Sequence, residues 1–430
     1  MHPGAALVGV LLLAGAGALP PAVAGQGSPR LYGTVEARDG TLHRGYLRWG
    51  GEAAVWADAL TGTRPVPRER VVAWRQAQDR DTLPPLRVLE VEGYRISWPE
   101  EDEDFGARRA AEVRFAHIAE LRPGEDGGVE VALRWGEVVP FRAPAGLARS
   151  ERVVEVEPPA GGRIVLAWAD VARIVLDGEV DGEGTGPAAP DVRLHGSVQD
   201  VEGRTFTGYL GWGRAGLTTS DTLAAGRGGL PFASVSAVER REEVGGEAAE
   251  ARLVGGDVRA LTGRDLRDVR RRGLRVSDPT LGWVGIPWSR VRRIRFHPPA
   301  AAPAGPPPGV VPSGPLVGEV YTRAGDVYEG EVVWDADEAR AWEVLDGSAG
   351  GVEMAIEFGG IASIRRREDG ATVTLWDGRG WDLSGSNDVG PENRGVLVGT
   401  PTDAEGGRHW TLVPWEALAE VHFRAGGTER

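Results

Sequence analysis

Three stretches of this chain share one frame of glycine and tryptophan: Gly33, Gly40, Gly45, Trp49; Gly196, Gly203, Gly208, Trp212; and Gly318, Gly325, Gly330, Trp334. The spacings are seven, five and four residues each time. Val35, Val198 and Val320 also match, as do Leu47, Leu210 and Val332. Agreement at so many positions means that one folded unit is used several times. A second frame follows each first one. It opens on Leu133 and Gly136, Leu253 and Gly256, or Leu375 and Gly378. It closes on Trp168, Val171, Ile174, Leu176; on Trp288, Val291, Ile294, Phe296; or on Trp415, Leu418, Val421, Phe423. A shorter closing motif ends the first frame: Phe115, Ile118, Leu121; Phe232, Val235, Val238; Phe358, Ile361, Ile364.

The chemistry of one unit is all-β. Apolar and polar residues alternate around Val35 and its equivalents, as in a half-buried strand. Asp39-Gly40 and Glu202-Gly203 stand where a hairpin needs positive φ. The next glycine (45, 208, 330) lies inside the second strand and predicts a bulge or sharp bend. The closing motif, apolar at every third residue, suits one 3₁₀ turn running into a last strand. The expectation is tandem, roughly five-stranded small β-barrel modules paired into three domains, over 30–177, 192–297 and 316–425. An insertion near 76–121 interrupts the first. An acidic, Gly-rich linker (178–191) and a Pro- and Ala-rich one (298–315) separate the domains. This order of strands and closing turn resembles the Sm-like and Src-homology-like small barrels. The resemblance covers most of 31–424 module by module, implies the barrel fold, and carries none of those families' ligand-contacting residues onto this sequence.

Residues Ala5 to Leu19 form an apolar run followed by Ala22, Val23 and Ala24, an export-signal pattern with cleavage after Ala24. The expected location is periplasmic or extracellular, with no transmembrane segment in the mature chain. The chain has no cysteine, so packing alone holds it. All 49 basic residues are Arg, against 63 acids, for a net charge of −14. That balance disfavours nucleic acid as a partner.

No cofactor is expected and no metal site, because the seven His are scattered and no cysteine assists them. There is no G-x-S-x-G elbow, and Ser-Lys chemistry is excluded by the absence of Lys. The acidic run Glu100 to Asp104 reads as a solvated loop. Asp335 and Asp337 lack the turn glycine and terminal Glu of a calcium loop. The repeat-frame Trp residues read as core, and Trp56, Trp98, Trp283, Trp342, Trp381 and Trp410 are the better candidates for a ligand surface.

One module departs from the acidic background. Residues 252–297 carry twelve Arg and four acids. Arg264, Arg267, Arg270, Arg271, Arg272 and Arg275 form a candidate anion-binding face, with the 270–272 cluster in an expected loop. The expected function is that of an exported, non-catalytic β-repeat scaffold binding an unknown protein, a glycan or an anionic envelope polymer. The alternative is an envelope-polymer hydrolase with its site at a module interface. That reading needs one repeat to hold convergent acids that the others lack, and Asp382, Asn387 and Asp388 are the place to look.

Overall fold

A computed structural model describes residues 30–50, 53–78, 86–91, 94–99, 109–124, 127–142, 153–158, 160–177, 192–213, 216–226, 228–241, 248–278, 281–297, 314–402 and 407–424. The export-signal pattern, the first linker, most of the second linker and the run Glu100–Asp104 lie outside these residues.

The chain is all-β, with antiparallel pairing throughout. The first segment contributes β1 (Tyr32–Ala37), β2 (Leu42–Trp49), β3 (Ala59–Arg64), α1 (Arg68–Ala77), β4 (Leu86–Val91), β5 (Tyr94–Pro99), β6 (Arg109–Arg114), β7 (Ile118–Pro123), β8 (Val129–Leu133), β9 (Val138–Phe141), β10 (Val153–Glu157), β11 (Ile164–Ala167) and β12 (Val171–Leu176). The second contributes β13 (His195–Asp200), β14 (Thr205–Trp212), β15 (Thr222–Ala225), β16 (Gly228–Pro231), β17 (Val235–Arg241), β18 (Ala248–Leu253), β19 (Val258–Leu261), α2 (Arg267–Arg272), β20 (Leu274–Asp278), β21 (Gly282–Ile286) and β22 (Val291–Phe296). The third contributes β23 (Val317–Thr322), β24 (Val327–Trp334), β25 (Val344–Ala349), β26 (Val352–Glu357), β27 (Ile361–Arg366), β28 (Ala371–Leu375), β29 (Gly380–Leu383), β30 (Val396–Pro401), β31 (Arg408–Val413) and β32 (Leu418–Phe423).

The first sheet runs β11-β10-β2-β1-β12-β7-β8-β9. The third runs β31-β30-β24-β23-β32-β27-β28-β29, the same order strand for strand. The second repeats it as β21-β20-β14-β13-β22-β17-β18-β19, then gains β26 and β25 of the third segment beyond β21. None of these sheets is closed. Each sheet nests its strands rather than taking them in chain order. β1 pairs with β2 on one edge and with β12, the last strand of its segment, on the other. β7 instead turns back into β8, so the earlier half of a segment does not seal itself.

The glycine frame has two separate causes. Gly40, Gly203 and Gly325 take φ of 86°, 88° and 97° at hairpin turns, with open space where a Cβ would stand. Gly45, Gly208 and Gly330 are not bulges: they pair in register with Gly33, Gly196 and Gly318. A Cβ on them would stand 2.4, 2.3 and 2.3 Å from the carbonyl oxygens of Glu157, Ser277 and Gly399, so the neighbouring strand passes too close for a side chain. The bulge falls at the end of the first strand, between Glu36 and Ala37, Gln199 and Asp200, and Tyr321 and Thr322.

All six closing motifs form the expected 3₁₀ turn, at Phe115, Trp168, Phe232, Trp288, Phe358 and Trp415. Their aromatic rings are buried, and they meet the repeat-frame Trp49, Trp212 and Trp334 edge-on or tilted. The insertion in the first segment adds no strand to the eight-stranded sheet before β7. β4 and β5 are a separate hairpin, while β6 pairs with β3 as β16 does with β15 and β26 with β25. The insertion is preceded by α1, which sequence reading did not anticipate. Its Arg70, Ala73, Trp74 and Ala77 recur on one face, and Ala73 and Trp74 pack with Val333, Ala336, Ala339 and Leu397. Among the described residues no helix is long and apolar enough to cross a membrane.

Candidate functional site

The loop after each frame tryptophan is tied by one acid. Asp58 accepts from the backbone N–H groups of Ala54 (2.8 Å) and Val55 (3.1 Å). Asp221 accepts from Leu217 and Thr218, both at 2.8 Å. Glu343 accepts from Ala339 and Arg340. Each acid then meets a cation from another segment. Arg193 reaches Asp58 at 3.2 Å, Arg48 reaches Asp221 at 3.1 Å, and Arg64 and Arg70 both reach Glu343. Burial alone would raise the Asp58 and Glu343 carboxyls. The facing arginines, with the hydrogen bonds, outweigh it and hold both below their ordinary values. Glu357 is likewise held down, against burial, by Arg114 at 2.7 Å and His117 at 3.1 Å.

The third segment departs from the other two one residue after its tryptophan. Gly50 and Gly213 sit there with φ of 55° and 54°, and Asp335 takes the same left-handed conformation at 44°, followed by Ala336 at 61°. A non-glycine in that region costs about 1–3 kcal/mol unless its surroundings enforce it. Here they do. Asp335 is fully buried and accepts from Asn387 Nδ2 (2.6 Å), from the Arg394 guanidinium (3.1 Å) and from the Arg394 backbone N–H. Asn387 Nδ2 also donates to Asp388 (2.8 Å), and Asp388 accepts from the Asp346 backbone N–H (2.7 Å). Burial, with Asp346 beside it, raises the Asp388 carboxyl well above its ordinary value. Burial, then the neighbouring Asp337, does the same to Glu338.

Of the three residues singled out in 377–393, Asn387 and Asp388 therefore converge with Asp335, and Asp382 does not. Asp382 lies on β29 with its side chain 63% exposed, bonded to Arg367 and to Thr372 (2.6 Å), and Arg367 holds its carboxyl down. The Asp335 carboxyl is raised as well, to about 8, first by burial and then by the neighbouring Asp337, so the two acids shift in the same direction. Asp335 and Asp388 lie beneath the surface, and none of the three clefts around Arg64, Arg68 and Arg366 is lined by them.

The arginines of the candidate anion face divide. Arg270 to Arg272 lie in the short helix α2, not in a loop. Leu266 and Val269 anchor that helix in the core, and Gly273 (φ 74°) ends it. Arg264, Arg267, Arg270, Arg271 and Arg272 are exposed. Arg272 is 3.6 Å from Asp268, and Arg267 and Arg271 have no carboxylate within 4 Å among the described residues. Arg275 belongs elsewhere: it stacks over Trp283 at 4.7 Å and faces Glu112 of the first segment. Glu112 is pushed up to about 8 by burial, and Arg275 opposes that shift.

The off-frame tryptophans whose side chains are described are taken up in packing. Trp56 and Trp342 are buried, and Trp342 joins the first segment's core from the third. Trp381 stacks on Phe206 of the second segment (5.5 Å, 20° between planes), and Trp410 packs beside α1. Trp98 has no described side chain. Among the described residues the exposed tryptophan is Trp376, at 48%, which sequence reading did not single out. His195 is buried against Tyr209 and His297. Among the described residues no group of three or more His, Asp or Glu is placed to hold a metal ion. No family model, curated protein or solved structure matches the chain.

Proposed function

We propose that this chain is an exported, non-catalytic scaffold of the cell envelope, built of tandem small-barrel modules, that binds an anionic partner through Arg264, Arg267, Arg270, Arg271 and Arg272. Arg275 is assigned to packing between segments. The observation that carries the reading is five outward arginines around one short helix in a chain of net charge −14. Guanidinium groups in that arrangement recognise phosphate, sulfate or carboxylate groups in forked pairs. The barrel part is supported by β1, β2, β10 and β11 pairing in succession while β12 returns beside β1 through a 3₁₀ turn. In the other half, the bridges Thr63 to Arg142 and Ser348 to Ser384 connect β3 with the end of β9 and β25 with the end of β29. Export rests on the apolar run and Ala22-Val23-Ala24.

The test is retention on immobilised heparin and on lipopolysaccharide. The wild type is retained, and Arg270→Ser/Arg271→Ser/Arg272→Ser elutes early with its unfolding midpoint unchanged. Equal retention of the two proteins overturns the proposal. The hydrolase reading has one observation in its favour, namely that Asp335 replaces a repeat glycine and gathers Asn387 and Asp388. Cleavage of envelope polysaccharide by the wild type, lost in a folded Asp388→Asn variant, would put that reading first.

A further inference from the structure

β27 and β32 pair through Ser363 and His422, Ile364 and Val421, and Arg365 and Glu420. Beyond Arg365 the two strands part and leave a cleft of about 640 Å³, lined by Arg323, Arg365, Arg366, Arg367, Glu368 and the start of β32. Four cations and two carboxylates, Glu368 and Glu420, border it.

The other segments show what these arginines do when they are structural. Arg38 occupies the position of Arg323: the backbone N–H of each bonds the last residue of the closing turn, Asp170 or Ala417, at 2.8 Å. In the first segment the Arg38 side chain folds back and its Nε donates to the Ala169 carbonyl at 2.7 Å. Arg240 occupies the position of Arg366, two residues past the paired Val238 or Ile364. In the second segment its Nε donates to the Val291 carbonyl at 2.7 Å. The third segment has both arginines at once and makes neither bond. The side chains of Arg323 and Arg366 have no hydrogen bond and no carboxylate within 4 Å among the described residues. Arg366 is held over the Trp415 ring at 5.7 Å with its Nε buried and unpaired. The flanking cations are already engaged, Arg365 with Glu420 at 3.3 Å and Arg367 with Asp382.

The buried Nε–H of Arg366 is left without the acceptor that burial demands, and its fork and that of the exposed Arg323, bordering one cleft, form a recognition element for a tetrahedral oxyanion. We propose that this cleft binds a phosphate or phosphate-ester group, clamped between Arg323 and Arg366. Its volume lies within the roughly 300–1,000 Å³ of ordinary small-molecule sites, so it accommodates a phosphosugar as well as the free ion. The site is remote in sequence from α2 and stands or falls independently of the function proposed above.

Calorimetric titration of the full chain with inorganic phosphate and with glucose 6-phosphate tests it, with glucose as the neutral control. At least one phosphate probe binds, glucose does not, and Arg323→Ser/Arg366→Ser weakens binding tenfold or more. Arg366→Lys keeps the charge, loses the fork and falls between the two. Arg323 is exposed, so Arg323→Ser alone serves as a folded variant if the double one unfolds. Arg270→Ser/Arg271→Ser/Arg272→Ser binds the probe as the wild type does. Equal affinity for the two probes assigns the free ion, and a tenfold gain with the sugar assigns a phosphorylated saccharide. No binding of either probe, or equal binding by the folded Arg323 variant, overturns the proposal.

Discussion

The first segment meets the other two through buried charges, beside the packing of α1 and Trp342, whereas the second and third share a backbone ladder. Asp58 with Arg193, Asp221 with Arg48, and Glu343 with Arg64 and Arg70 hold the first segment in place. Between the second and third, β21 pairs with β26 from Gly282 opposite Ile356 to Gly285 opposite Glu353. That joint adds a ring stack and the Arg379–Asp278 pair at 3.0 Å. A ladder of N–H and C=O groups is available to any sequence, so its specificity comes from shape. Gly282, with φ 123°, lets the strands meet, because a Cβ there would stand 2.0 Å from the Ala355 carbonyl oxygen. A buried ion pair is specific to its residues and costs much desolvation, so losing one partner is worse than losing both.

The difference can be broken from either side. Asp58→Ala leaves Arg193 buried beside an empty position and should cost about 3–5 kcal/mol in chemical denaturation. Replacing both Asp58 and Arg193 with apolar residues should recover most of that loss, and failure to recover would show that the charges do more than hold the joint. Gly282→Ala should cost about 1–3 kcal/mol through backbone strain, with amide exchange rising in β21 and β26 and not around Asp58. A uniform rise in both places would mean that the two joints are one cooperative structure. Acid should separate them more gently. Asp58, Glu343 and Glu357 are held below their ordinary values of 3.8, 4.5 and 4.5 in the folded chain. As pH falls below about 4 the unfolded chain therefore takes up protons first, and stability drops by at most about 1.4 kcal/mol per pH unit for each carboxylate. Protease sensitivity should then appear in the first segment before the β21–β26 joint.

What the sequence revealed follows from the range of each interaction. The six closing turns were legible because Phe115, Trp168 and their counterparts lie three residues before the next core residue, which is a local pattern. The pairing of β1 with β12 was not, since Ile118 and Val171 carry the same apolar spacing and only the fold decides which strand covers Val35. Gly45 was read as a bend because spacing does not reveal the strand that passes over it. The anion face was legible as composition, but only the fold separates Arg275, stacked on Trp283, from the exposed five. Asn387 and Asp388 were found because the segment is rich in acids. Their partner Asp335 is weighed in the sequence only as a calcium ligand, although aligning the residue after Trp49, Trp212 and Trp334 gives Gly, Gly and Asp.

The placement of β12 beside β1 also sets an order in time. A strand emerging first from a ribosome or a translocation channel must wait for the whole segment before its open edge is covered. Once complete, such a segment begins and ends at neighbouring places, so a duplicated stretch of gene could be spliced in next to the old one without re-threading either.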